Sequence, residues 1–125
     1  MPRKIQYAVK DQGTEKEAKL SKYFNVKTEL HGVTFASQKE AGRYQELLWM
    51  QRAGFVRNIE LQPRYDLVVN GKKCGFYKAD FRYEDAKTGN AVVEDVKNEN
   101  TRTAVFALKK KLVKALYDID IVEVY

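Results

Sequence analysis

Residues 76–97 read Phe-Tyr-Lys-Ala-Asp-Phe-Arg-Tyr-Glu-Asp-Ala-Lys-Thr-Gly-Asn-Ala-Val-Val-Glu-Asp-Val-Lys, and this stretch decides the fold. Phe76 to Glu84 is rich in aromatic residues, as a strand should be, and Ala91 to Lys97 is a second strand-like run. Between them, Asp85 to Asn90 holds only turn-compatible residues. If this loop closes a symmetric hairpin, Asp80 stands opposite Asp95. Directly opposed side chains lie about 4.5–5.5 Å apart at Cβ, so two carboxylates there repel each other. A divalent cation between them removes the repulsion, and Mg²⁺ is typically held by one or two carboxylates plus substrate phosphates. Lys97 is two residues beyond Asp95 and shares its face, whereas Glu94 points to the other face. A slip of one residue would exchange Asp95 and Glu94.

Before this hairpin, Asn58 to Val69 alternates apolar and polar residues and reads as a strand, with Pro63 marking an edge or a bulge. Asn70-Gly71 turns the chain. Ser37-Gln38-Lys39-Glu40 is a capping box that starts a helix, and Gly54 stops it. Tyr44, Leu47, Leu48 and Gln51 form one face of that helix, and Glu40 lies a turn before Tyr44. Glu40 is thus a third carboxylate that can face the sheet, besides its ordinary role in the capping box. Upstream, Asn25 to Leu30 and Val33 to Phe35 flank His31-Gly32 as a small hairpin. Residues 1–24 form a basic N-terminal arm in which Thr14 to Glu17 can cap a short helix.

After Lys97, Thr103 can cap a helix in which Phe106, Lys110, Val113 and Tyr117 step along one side, and Ile119 to Tyr125 is a last strand. The order helix, three strands, helix, strand predicts an α/β fold: a meander, then a crossover helix, then a strand parallel to the third. The central sheet is therefore mixed and flanked by helices, in a single domain over 25–125.

The composition narrows the chemistry. The chain has 125 residues, 23 Lys+Arg against 17 Asp+Glu, a net charge of +6, one His and one Cys. One cysteine forms no internal disulfide, which fits a cytoplasmic setting, and a Cys/His structural zinc site is out of reach. No apolar run is long enough to span a bilayer, and no apolar segment follows Met1 to Lys4 as in a signal peptide. Lys97 to Lys114 holds six basic residues and one acid. Lys109, Lys110 and Lys111, with Arg102 and Thr103 at the helix start, form a candidate phosphate-contacting surface. Trp49 is expected in a core or interface, and Cys74 and His31 as structural or surface residues.

At these residues the chain resembles the PD-(D/E)XK nuclease superfamily, whose signature is an acid on the second core strand and an acid-X-Lys on the third. Here that is Asp80, then Asp95-Val96-Lys97, with Ala79 in place of the proline. Its restriction-endonuclease-like core has the same element order, and many members carry a glutamate on the first helix, matched by Glu40. The chain is also similar to an uncharacterised family of small phage proteins assigned to this superfamily. That likeness covers residues 25–124, through Gly32 to Phe35, Ser37 to Glu40, Leu61 to Tyr65, Tyr77 to Phe81, Val93 to Lys97, Thr103 to Phe106 and Lys109 to Lys111. The resemblance implies hydrolysis of DNA phosphodiesters with Mg²⁺ or Mn²⁺. Asp80, Asp95, the Val96 carbonyl and Glu40 would hold the metal, and Lys97 would polarise the attacking water. Among phage nucleases of this size, a four-way-junction or other branched-DNA resolvase is the favoured form. Such an enzyme cuts two strands, so a homodimer is expected, acting in the host cytoplasm. The competing expectation is a nucleic-acid-binding phage protein without catalysis, and a third is a protein-interaction factor.

Overall fold

The computed structural model describes residues 27–98 and 100–125; the arm at 1–24 and its Thr14 to Glu17 capping box lie outside them. The chain divides between Leu48 and Trp49 into two compact units. In the first, β1 (Thr28–Leu30) and β2 (Val33–Phe35) form the expected hairpin around His31-Gly32, with Leu30 and Phe35 buried. Helix α1 (Gln38–Arg52) begins as predicted: the Glu40 N–H donates to Ser37 Oγ at 3.1 Å and the Ala41 N–H to the Ser37 carbonyl at 3.2 Å. Tyr44 packs against Phe35, with ring centroids 5.2 Å apart.

α1 ends in the second unit. Gly54 takes φ +89°, and the Gly54 and Phe55 N–H groups close back on the Gln51 and Met50 carbonyls in a Schellman stop. Trp49 is 61% exposed and so is no core residue. A four-stranded mixed sheet follows, ordered β3 (Val56–Leu61), β6 (Phe81–Asp85), β7 (Ala91–Val96), β8 (Ile121–Val124). The first two pairings are antiparallel, and β7 and β8 run parallel, joined through helix α2 (Ala104–Tyr117). Thr103 caps α2 by accepting the Phe106 N–H at 3.1 Å. The predicted meander and crossover are both present; the last strand is shorter than expected.

Two strands differ from expectation. The run 58–69 is not continuous: Gln62 has φ +52° and Pro63 lacks an N–H, so β3 ends at Leu61 and β4 (Arg64–Val69) starts afresh. The run 76–84 breaks at the matching place, between β5 (Lys72–Lys78) and β6. The breaks face each other, with the Gln62 N–H on the Asp80 carbonyl and the Ala79 N–H on the Pro63 carbonyl, both at 3.0 Å. β4 and β5 therefore form a separate two-stranded ribbon, closed at Asn70-Gly71, where both residues have positive φ as a tight hairpin turn requires. α2 packs against β4 and β8. The core there gathers Leu67, Tyr77, Ala79, Val93, Phe106, Val113 and Ile121.

A candidate acidic site beside a lysine

The register across β6 and β7 is the symmetric one: Phe81 opposes Glu94 and Arg82 opposes Val93. The loop is held by Asp85, whose Oδ1 accepts the Lys87 N–H at 2.8 Å and whose N–H donates to the Asn90 carbonyl at 2.9 Å. Continuing the register by one residue sets Asp80 opposite Asp95. The Asp80 N–H donates to the Glu94 carbonyl at 3.0 Å, and its Oδ2 accepts the Val96 N–H at 2.7 Å. Asp80 thus lies at the end of the ladder, with its carboxylate anchored on the backbone that presents Asp95.

Asp95 is 6% exposed. Its Oδ1 pairs with Lys97 Nζ at 3.1 Å, and its Oδ2 accepts the Tyr77 hydroxyl. Burial first, then the hydrogen bond and charge of Asp95, then the charge of Asp80, push the Tyr77 pKa upward, so its hydroxyl stays a donor. Lys97 Nζ also lies 3.9 Å from the Phe106 ring centroid, a cation–π contact that holds the ammonium in place. Carboxylate and ammonium are thus almost wholly withdrawn from water, where their interaction is strengthened and their positions are fixed. Glu94 faces the other way, as expected, and accepts the Tyr83 hydroxyl.

Two of the remaining predicted residues share one carboxylate. Arg102 forms a forked pair with Glu123 at 2.8 and 3.1 Å, and Lys110 Nζ meets the same carboxylate at 2.7 Å. Glu123 is the parallel register partner of Asp95. Arg102, then Lys110 and the Tyr125 hydroxyl, hold its pKa down at about 2. Lys109 Nζ lies 5.6 Å from the Phe76 ring centroid, Lys111 is exposed, and Thr103 serves as the helix cap. Glu40 is in the first unit, partly buried in the first turn of α1.

Tyr77, Phe106 and Glu123 belong to this group and are not among the site residues expected from the sequence. Tyr77 is three residues before Asp80, so strict alternation assigns the two to opposite faces. The break at Ala79-Asp80 shifts the phase, so Tyr77 donates to Asp95 while Asp80 accepts the Val96 N–H. For Mg²⁺ or Mn²⁺ the donor chemistry fits: two carboxylates supply hard oxygen ligands, and a carboxylate oxygen that accepts one hydrogen bond keeps a second lone pair. Among the described residues no group of three or more His, Cys, Asp or Glu side chains that could hold a metal ion occurs.

A family model described as "Protein of unknown function (DUF1064)" matches residues 20–122, and the chain belongs to that family. No curated protein and no solved structure matches it.

Proposed function

We propose that this DUF1064 protein is a metal-dependent endodeoxyribonuclease of the PD-(D/E)XK type, with a restriction-endonuclease-like core. One observation carries the reading: Asp95 and Lys97 are ion-paired at 3.1 Å in a nearly dry environment, with Asp80 at the opposed register position. A surface strand used only for solubility has no reason to bury an acid and a lysine together beside a second acid.

Asp80 and Asp95 would hold Mg²⁺ or Mn²⁺ with the Val96 carbonyl. When bound, the metal lowers the pKa of a water and offsets charge gathering on the phosphate. The chain's own residues do the rest. Lys97 brings a fixed positive charge to the position where the attacking oxygen and the phosphate become more negative. Tyr77 orients Asp95 by donating to one oxygen, leaving the other toward Lys97. Asp80 is locked by the Val96 N–H, so both acids are aligned before substrate arrives. Arg102, Thr103 and Lys109 to Lys111 contact the DNA phosphates. The favoured substrate is branched DNA, including a four-way junction, cut by a homodimer in the host cytoplasm.

The test is a panel of labelled linear, flapped and four-way DNA incubated with Mg²⁺, Mn²⁺ or EDTA. Cleavage of at least one member in metal, and none in EDTA, is expected. A second reading, a nucleic-acid binder without catalysis, is favoured by the partners Asp95 already has, Lys97 and Tyr77. Binding without cutting in every metal would select it.

A further inference from the structure

The β4–β5 ribbon has one face in the core and one outside. Tyr65, Leu67 and Tyr77 point inward, so their neighbours along the strands point outward. The register pairs Arg64 with Lys78 and Asp66 with Phe76, which puts these four on the outer face. Phe76 is 40% exposed. The Arg64 guanidinium carbon lies 4.0 Å from its ring centroid, and Lys109 Nζ, arriving from α2, lies 5.6 Å from it. The one acid on this face, Asp66, is already engaged by Arg64 at 3.2 Å and Lys73 at 3.6 Å. Residues 64–78 carry four cations, Arg64, Lys72, Lys73 and Lys78, against that single acid.

A half-exposed aromatic ring flanked by cations from two different elements is suited to a chain that alternates flat apolar rings with negative charges. Bases stack on aromatic side chains in a sequence-tolerant way, while Lys and Arg follow the phosphates. Fully paired duplex offers its base faces to no outside ring. Phe76 directly precedes Tyr77, whose hydroxyl meets Asp95 on the inner side of the ribbon, so β5 serves the outer face and the acidic site with neighbouring residues on opposite faces. We propose that the outer face of the ribbon is a docking surface for single-stranded DNA. Phe76 is its stacking platform, and Arg64, Lys78 and Lys109 are its phosphate contacts. The choice of DNA rests on the nuclease reading; the stacking geometry does not.

The test is fluorescence anisotropy of the full chain in Ca²⁺ with a labelled single strand, the same strand annealed as duplex, and an RNA of the same sequence. Phe76→Ala should weaken single-strand binding by about tenfold and duplex binding by less than about threefold. Phe76→Tyr should bind as wild type. Arg64→Ala and Lys109→Ala should each flatten the single-strand salt slope by about 0.7. Phe76 is exposed enough for the alanine variant to fold, which its melting temperature checks. Unchanged single-strand affinity in a folded Phe76→Ala, or equal losses on single strand and duplex, would overturn the stacking platform. A clear preference for RNA would overturn the assignment to DNA. If wild type cuts nothing yet shows these binding losses, the nuclease reading fails and the docking surface stands. If cleavage requires Lys97 while Phe76→Ala binds normally, the docking surface fails instead.

Discussion

Two neighbours on β7, Glu94 and Asp95, are 2% and 6% exposed, and each accepts a tyrosine hydroxyl, Tyr83 for one and Tyr77 for the other. They lie on opposite faces of the strand. Asp95 has Lys97 at 3.1 Å and Asp80 at the opposed position, next to a basic helix start; Glu94 is matched in register with Phe81. A buried acid with a tyrosine partner is thus not a site in itself. The nuclease reading gives a role to the opposed acid, ammonium and cationic rim of the Asp95 face, and under it substitutions on the two faces should have unlike consequences.

The largest contrast is between Asp95→Asn and Glu94→Gln. If Asp95 holds the metal as proposed, Asp95→Asn should lower cleavage by about three orders of magnitude, comparable to removing preorganised charge from a reacting centre. It also replaces the Asp95–Lys97 ion pair by an amide contact, at a cost of roughly 1–3 kcal/mol. Glu94→Gln should reduce thermal stability while the folded fraction keeps cleavage within a few-fold. Equal loss of activity in both variants, measured at matched folded fraction, would erase the difference between the faces.

The tyrosines sharpen the comparison. Tyr77→Phe and Tyr83→Phe each remove a donor to a buried carboxylate and should cost a similar amount, about 1.5–3 kcal/mol by chemical denaturation. Only Tyr77→Phe should also reduce cleavage, by about tenfold, because Asp95 loses its orientation. Next in size is the response to metal. Millimolar Mn²⁺ at about ten times its Kd should add about 1.4 kcal/mol to wild type, seen as a rise in melting temperature, and add nothing to Asp95→Asn. A wild-type curve indifferent to Mn²⁺ would speak against the donor set.

The smallest effect concerns the rim. Glu123 is held at about 2 by Arg102, Lys110 and Tyr125. A carboxyl whose folded pKa lies below its unfolded value of about 4.3 contributes stability above that value and loses it as pH falls through the folded pKa. Wild type should therefore lose this contribution between about pH 4.3 and 2, and Glu123→Gln should show a shallower fall over the same window in an acid titration of stability.

The features readable in advance were those governed by local chemistry. Ser37 and Thr103 cap their helices because their hydroxyls satisfy free N–H groups, and the Asp85 to Asn90 loop closes symmetrically because Asp85 supplies its turn. From that closure the Asp80–Asp95 register followed. Tyr77 was hidden because a phase shift at Ala79-Asp80 leaves no mark in hydrophobic alternation; it comes from Gln62 and Pro63 on the partner strand. Glu123 was hidden because its position beside Asp95 depends on how far α2 carries the chain before β8 joins in parallel, which no local pattern records.

The most direct test of the central claim is single-turnover cleavage by wild type and Lys97→Ala, with protein above its dissociation constant, alongside a binding titration in Ca²⁺. If Lys97 supplies charge where the transition state gathers it, Lys97→Ala binds DNA within a few-fold of wild type while cleavage falls by about two orders of magnitude or more. Cleavage by Lys97→Ala within a few-fold of wild type would contradict the account.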